Sequence, residues 1–201
     1  MGSAVRHLLI ALAAAFALVA PAGAFAAPPQ TAVFAGGCFW CMEHDMQAIP
    51  GVLSVESGYT GGTLKNPTYQ DVITERTGHY ESVRVKFDPD KITYRALLDR
   101  YWKLVDPTDD GGQFCDRGPS YRTAVFVNGP EQRKIAEETR AAAAKRLKSG
   151  KMTTQILPLG AYWPAEEYHR DFAKKNAEHY TNYRAGCGRD RRLAQVWGAA
   201  G

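Results

Sequence analysis

Residues 31–52 read TAVFAGGCFWCMEHDMQAIPGV. TAVFAGG is a short apolar run closed by two glycines, the pattern of a strand that enters a tight turn. CFWCMEHDMQAI follows as a helix, stopped by Pro50 and Gly51. Cys38 therefore stands where a strand hands over to a helix N-terminus, and GVLSVESGYTGG opens as the next, half-buried strand. Cys41 lies three residues on, with Phe39 and Trp40 between the two thiols. This spacing is open to four readings: a dithiol redox pair, half of a metal site, a structural disulfide, or one nucleophile beside an incidental second cysteine.

Working outward, YESVRVKFDPD alternates cleanly, with Val83, Val85 and Phe87 on one face and Arg84 and Lys86 on the other. The same register places Glu81 on the apolar, inward face. Ala96, Leu97, Tyr101, Leu104 and Val105 recur at helical spacing, with Thr93 as N-cap and Asp106-Pro107 as the stop. DPTDDGGQFCDRGPS reads as a loop and YRTAVFV as a strand. A helix over 131–149 is bracketed by Pro130 and Gly150, TTQILPL is a further strand, and Pro164 opens a last helix through Tyr183, followed by a glycine-containing tail. The order βαββαβαβα predicts a single α+β domain, a two-layer sandwich with a mixed sheet.

The first 26 residues stand apart from this pattern. Arg6 and His7 precede an apolar run from Leu8 to Val19, then Pro21 and the small-residue sequence Ala24-Phe25-Ala26. A basic start, a short hydrophobic stretch and an A-x-A site predict a secretory signal peptide, too short for a membrane span, with a mature domain over 27–201. Processing would remove one Arg and leave the mature chain with a net charge of +3. The basic residues are interleaved with acids, so neither a nucleic-acid partner nor stable membrane insertion is expected. The cysteines at 38, 41, 115 and 187 all survive processing into an oxidising compartment, where two structural bridges and a non-enzymatic secreted domain are the plainest expectation.

The residues also carry a chemical reading. A thiol at a helix start meets unpaired N–H groups and the positive end of the dipole, both of which favour thiolate. No second Cys-x-x-Cys and no paired histidines follow, so no metal site is expected. A Cys38/Cys41 thiol-disulfide oxidoreductase remains the alternative, although two bulky aromatics between the cysteines suit the floor of an apolar pocket better. Glu81, desolvated on its inward face, would have a raised pKa and could donate a proton as a general acid. Taken singly, Tyr69, Tyr121 and Asp116 are ambiguous.

Together the blocks GCFWCMEHDMQAIPGV, SGYTGG, NPTY, TGHYESVRVKFDP and GGQFCDRGPSYRTAVF resemble the A-type methionine sulfoxide reductases, from about Thr31 to Gly198. The resemblance implies a two-layer α+β sandwich with a ferredoxin-like core, in agreement with the element order. It implies Cys38 as nucleophile, Phe39 and Trp40 as the aromatics that hold the substrate methyl group, and Glu81 as proton donor. Tyr69 and Tyr121 are implied as hydrogen-bond partners of the sulfoxide oxygen, and Asp116 as a substrate-site acid. In the implied reaction Cys38 becomes a sulfenic acid and a second thiol resolves it to a disulfide. No bound cofactor is implied; an external thioredoxin-like dithiol protein reduces that disulfide. Cys187, flanked by glycines near the C-terminus, is the expected resolver, with Cys41 and Cys115 as further redox candidates. A monomer acting in the periplasm on free or protein-bound methionine sulfoxide is the resulting expectation.

Overall fold

The computed structural model describes residues 26–148 and 151–198, so the expected leader falls outside it apart from Ala26. The turn expected after the first apolar run is present. Strand β1 (Gln30–Gly36) feeds helix α1 (Phe39–Gln47), with Cys38 as its N-cap. Gly37, at φ +79°, makes the connection, and a side chain there would strike Gln113.

Next come β2 (Val52–Thr60), the short helix α2 (Tyr69–Val72), β3 (Tyr80–Phe87) and α3 (Tyr94–Lys103), the last capped by the Thr93 side chain as the sequence predicts. The expected loop over 106–120 contains a small hairpin, β4 (Gly112–Gln113) and β5 (Asp116–Arg117), and leads to a 3-10 turn at Pro119–Tyr121. β6 (Thr123–Val127), α4 (Pro130–Ala144) and β7 (Gln155–Pro158) follow. With a last short strand, β8 (Trp163–Pro164), the main sheet runs β7-β6-β1-β3-β2-β8, antiparallel except for the β6–β7 pair. Its inner four strands, β6-β1-β3-β2, with α1 and α3 as the crossovers, are the expected ferredoxin-like core in a mixed sheet. Phe34, Val83, Val85 and Phe87 meet Leu97, Leu98, Tyr101 and Trp102 in one buried cluster. Each such side chain contributes about 1.5–3 kcal/mol relative to exposure.

Three expectations are corrected. α4 stops at Ala144 rather than 149, because its buried stripe of Ala136, Thr139 and Ala143 ends there and a basic run, Lys145-Arg146, follows. Pro164 opens no helix. It lies in β8 (Trp163–Pro164) on the sheet edge, where a residue without an N–H is tolerated, and Tyr162 Oη fixes the segment by donating to Glu56 O at 2.6 Å. The C-terminal region is helical but broken: α5 (Phe172–Lys175) follows Asp171 at φ +53°, and α6 (Ala177–Cys187) and α7 (Arg189–Trp197) meet at Gly188. Cys187 thus ends a helix and does not ride on a loose tail. Arg189, 2% exposed, anchors that junction by donating to Leu104 O (2.7 Å) and Gly36 O (3.3 Å), with its guanidinium over the Phe114 ring. Among the described residues no helix is long and apolar enough to cross a membrane.

Candidate active site

At the start of α1 the sequence leaves unpaired N–H groups, as every helix does. The Phe39 N–H donates to Glu81 Oε2 at 2.9 Å. Glu81 comes from β3, opposite Tyr59 on β2, and faces inward as the alternation predicts, 2% exposed. Burial drives its pKa well above the ordinary carboxylate range; the Phe39 N–H pulls the other way, and the negative groups Asp116, Cys41 and Glu75 add to the rise. A carboxyl in this setting holds its proton to higher pH than an ordinary carboxyl does.

Cys38 does not have the low pKa expected from its helix-start position. It is 6% exposed, beneath the C-terminal helices, in a cluster with Cys41, Phe172, Tyr180 and Tyr183. Burial, then the hydrogen-bonded Cys41 thiol, then the Glu81 carboxyl push it up, and the hydrogen bond with Tyr183 lowers it. The helix N–H that could have favoured a thiolate is occupied by Glu81. Cys41 has the opposite bias. Its hydrogen bond with Cys38, opposed by burial and supported by Arg189 and Arg184, brings it down to about 7.

Around this pair the structure collects most of the residues expected from sequence. Tyr69 begins α2, whose N-cap Thr68 accepts from the Asp71 N–H while Asp71 Oδ2 accepts from the Thr68 N–H, a capping box. Burial raises the pKa of the Tyr69 phenol and of the Tyr121 phenol from the 3-10 turn, and the Glu81 carboxyl adds to both rises. Asp116 accepts from the Tyr183 hydroxyl and is raised by burial. Tyr183 packs against the Cys38 cluster, so its hydroxyl ties that cluster to Asp116. Trp40 is half-buried and stacks on Phe172 with ring centroids 3.6 Å apart, while Phe39 is fully buried against Tyr59 and His169.

Four positions were missed from sequence. Trp40 Nε1 donates to His169 Nδ1 at 3.1 Å, so the imidazole carries its proton on Nε2, and that buried nitrogen has no partner. Burial lowers the pKa of His169 and keeps it neutral. Glu166 accepts from the Tyr59 hydroxyl (2.8 Å) and the Tyr69 N–H (2.7 Å). Glu75 accepts from the Ser120 N–H and hydroxyl, both at 2.8 Å, and so holds the turn that presents Tyr121. Tyr183 is the fourth. Each works through a partner dozens of residues away, and WPAEEYHRDF, read as helix, gave no periodic signal of such pairing.

Of the other cysteines, Cys115 and Cys187 are joined in a disulfide, Cα atoms 4.9 Å apart, Cys115 exposed and Cys187 half-buried. Cys38 and Cys41 are free thiols. The structure holds one bridge rather than two, with one reduced pair inside and one oxidised pair outside. A buried thiol beside a buried acid with a raised pKa, with a disulfide at the surface, is equipment for moving two electrons from thiols to an oxidised substrate, and the molecule is of the thiol-dependent oxidoreductase class.

Comparison with known proteins narrows the class. The family model of peptide methionine sulfoxide reductase matches residues 30–200. Peptide methionine sulfoxide reductase MsrA 2 of Caulobacter vibrioides is 68% identical over 195 residues, 96% of this chain and 99% of that protein. MsrA of Bacillus licheniformis is 52% identical over 170 residues, covering 84% and 94%. Methionine sulfoxide reductase A of Corynebacterium diphtheriae superposes with a TM-score of 0.67 at 34% identity, covering 74% of this chain and 76% of that one. Reduced Mxr1 of Saccharomyces cerevisiae gives 0.66 at 28% identity, covering 75% and 87%. The chain belongs to the peptide methionine sulfoxide reductase family, the one its sequence blocks resemble.

Proposed function

We propose that the protein reduces the S-epimer of methionine sulfoxide, free or in oxidised proteins, with Cys38 as nucleophile and Glu81 as proton donor. The Cys38 sulfur attacks the sulfoxide sulfur while Glu81 protonates the departing oxygen; the thiol proton restores Glu81. The net change is sulfoxide plus thiol to thioether plus cysteine sulfenic acid. Tyr69 and Tyr121 hydrogen-bond the sulfoxide oxygen, Trp40 over Phe39 receives the methyl group, and Asp116 with His169 Nε2–H holds the substrate's polar backbone. The oxidation leaves Cys38 and ends on Cys187 and Cys115 as the outer disulfide. The Phe39 N–H to Glu81 hydrogen bond carries this reading, because it sets a protonated acid one residue from the thiol.

The test is a single turnover with one equivalent of each methionine sulfoxide epimer. One methionine per chain from the S-epimer, none from the R-epimer and none from Cys38→Ser are expected; equal turnover by Cys38→Ser would sink the assignment. Turnover with dimethyl sulfoxide and a dithiol separates this reading from a Cys38/Cys41 thiol-disulfide oxidoreductase. The exposed Cys115–Cys187 disulfide suits attack by an external thioredoxin-like protein. The enzyme works as a monomer in the periplasm after cleavage behind Ala26. Ala27 N already donates to Asp90 Oδ2 at 3.0 Å, so a new α-ammonium there would meet a carboxylate.

A further inference from the structure

Cys41 is a buried free thiol to which the reaction above gives no task. It lies on the first turn of α1, its N–H donating to Cys38 O at 3.2 Å, and its thiol is packed with that of Cys38 in one buried cluster. Cys187, by contrast, ends α6 and is bonded to Cys115 beside Asp116. Tyr183 packs against the Cys38 cluster while its hydroxyl donates to Asp116, beside the outer pair. The thiol that meets a sulfenic acid formed at Cys38 is therefore Cys41.

We propose that Cys41 is the first acceptor of the oxidation at Cys38, and that the two cysteine pairs act in series, 38/41 inside and 115/187 outside. This rests on Cys38 as nucleophile. In the first step the Cys41 sulfur displaces hydroxide from Cys38–SOH: an S–S bond forms, the S–O bond breaks, and the thiol proton leaves with the hydroxide as water. In the second, the reduced Cys187 thiol attacks the 38–41 disulfide, and Cys115 displaces the inner sulfur from Cys187. The outer disulfide forms and the two outer protons end on Cys38 and Cys41. The product of this relay has free thiols at 38 and 41 and a disulfide at 115–187, the pattern the structure contains.

Geometry and reactivity both allow the first step. Side chains three apart on a helical turn have Cβ atoms about 5–6 Å apart. A disulfide needs about 3.5–4.5 Å, and Cys38, as a non-helical N-cap at ψ 120°, can supply the adjustment without unwinding α1. A thiol with a pKa near the working pH is also the best attacking partner in such chemistry, and Cys41 stands at about 7.

The experiment uses the mature chain carrying Cys115→Ser and Cys187→Ser, which leaves the buried pair untouched. One equivalent of methionine S-sulfoxide is added with dimedone present, and the peptide containing residues 38–41 is weighed. One methionine per chain, a 38–41 peptide lighter by two hydrogens and no dimedone adduct are expected. A persistent dimedone adduct on Cys38 with Cys41 free would overturn the relay while leaving Cys38 as nucleophile. Absence of methionine release would overturn both. In the otherwise intact chain, Cys41→Ser should trap Cys38–SOH with dimedone and slow multiple turnover at least tenfold; an unchanged rate with no adduct counts against Cys41.

Discussion

Glu81 sits in the site with one hydrogen-bond donor, the Phe39 N–H, and no cation among the groups that shift it, so its charge has little to hold it. Because the folded-state pKa is raised, the acid form persists above the ordinary carboxylate range. Sulfoxide reduction should hold at neutral pH and fall as pH rises through that raised value. Stability moves the same way: the contribution of the protonated group is complete below the unfolded pKa and is lost as pH rises toward the folded one. Glu81→Gln should lose about 10²-fold or more in single-turnover rate constant and flatten the alkaline limb. A normal rate with the limb intact would remove Glu81 from the chemistry. Tyr69→Phe and Tyr121→Phe should each cost about tenfold, the double variant less than the product, since both phenols are assigned to one sulfoxide oxygen. Glu81 was legible from strand alternation alone, because period two assigns a face without any knowledge of partners. His169, Glu166, Glu75 and Tyr183 were not, because their roles exist only in contacts the fold creates.

At the scale of elements, α1 is held between the sheet and the C-terminal helices, and Glu43 is the hinge of that packing. Its Oε2 accepts from the Asp171 N–H at 2.8 Å, Asp171 being the residue before α5, and its other oxygen is buried without a partner. Burial raises its pKa to about 7. Glu43 therefore favours the folded state fully below the unfolded carboxylate pKa, about 4.3, and progressively less as pH climbs to about 7. Thermal unfolding from pH 4 to 8 should show wild type losing Tm relative to Glu43→Gln across that window; parallel curves would show that the carboxyl does not titrate there. The core elements were legible because β1, β3 and α3 carry a clear period of two or 3.6. The C-terminal third was not. Its irregular path from Trp163 to Trp197 is fixed by buried polar anchors such as Arg189 and Tyr162, which leave no periodic trace, and a proline that suggested a helix start serves instead at a sheet edge.

For the whole molecule, the consequence is that Cys38 works beneath a roof tied down at three places. Arg184 donates to both oxygens of Asp45 (2.9 and 3.0 Å) and to Asp190, Arg189 grips the carbonyls of Gly36 and Leu104, and the Cys115–Cys187 disulfide joins α6 to the β4–β5 hairpin. In the proposed cycle the disulfide is the one tie that turnover itself makes and breaks, so access to the inner thiols should depend on the state of the outer pair. Selective reduction of Cys115–Cys187 should raise the rate of Cys38 alkylation by iodoacetamide, read by peptide mass. Arg184→Met should raise it in the oxidised protein as well, by about tenfold, the equivalent of about 1.4 kcal/mol of local opening. Because α3 and the central strands lie outside this segment, their amide exchange should remain at wild-type protection in both cases. If alkylation of Cys38 is equally slow in wild type, in the reduced protein and in Arg184→Met, then α6 is no roof and substrate reaches the thiol by another side. If protection is lost throughout the sheet instead, the C-terminal helices are part of the core's own stability and cannot open on the timescale of turnover.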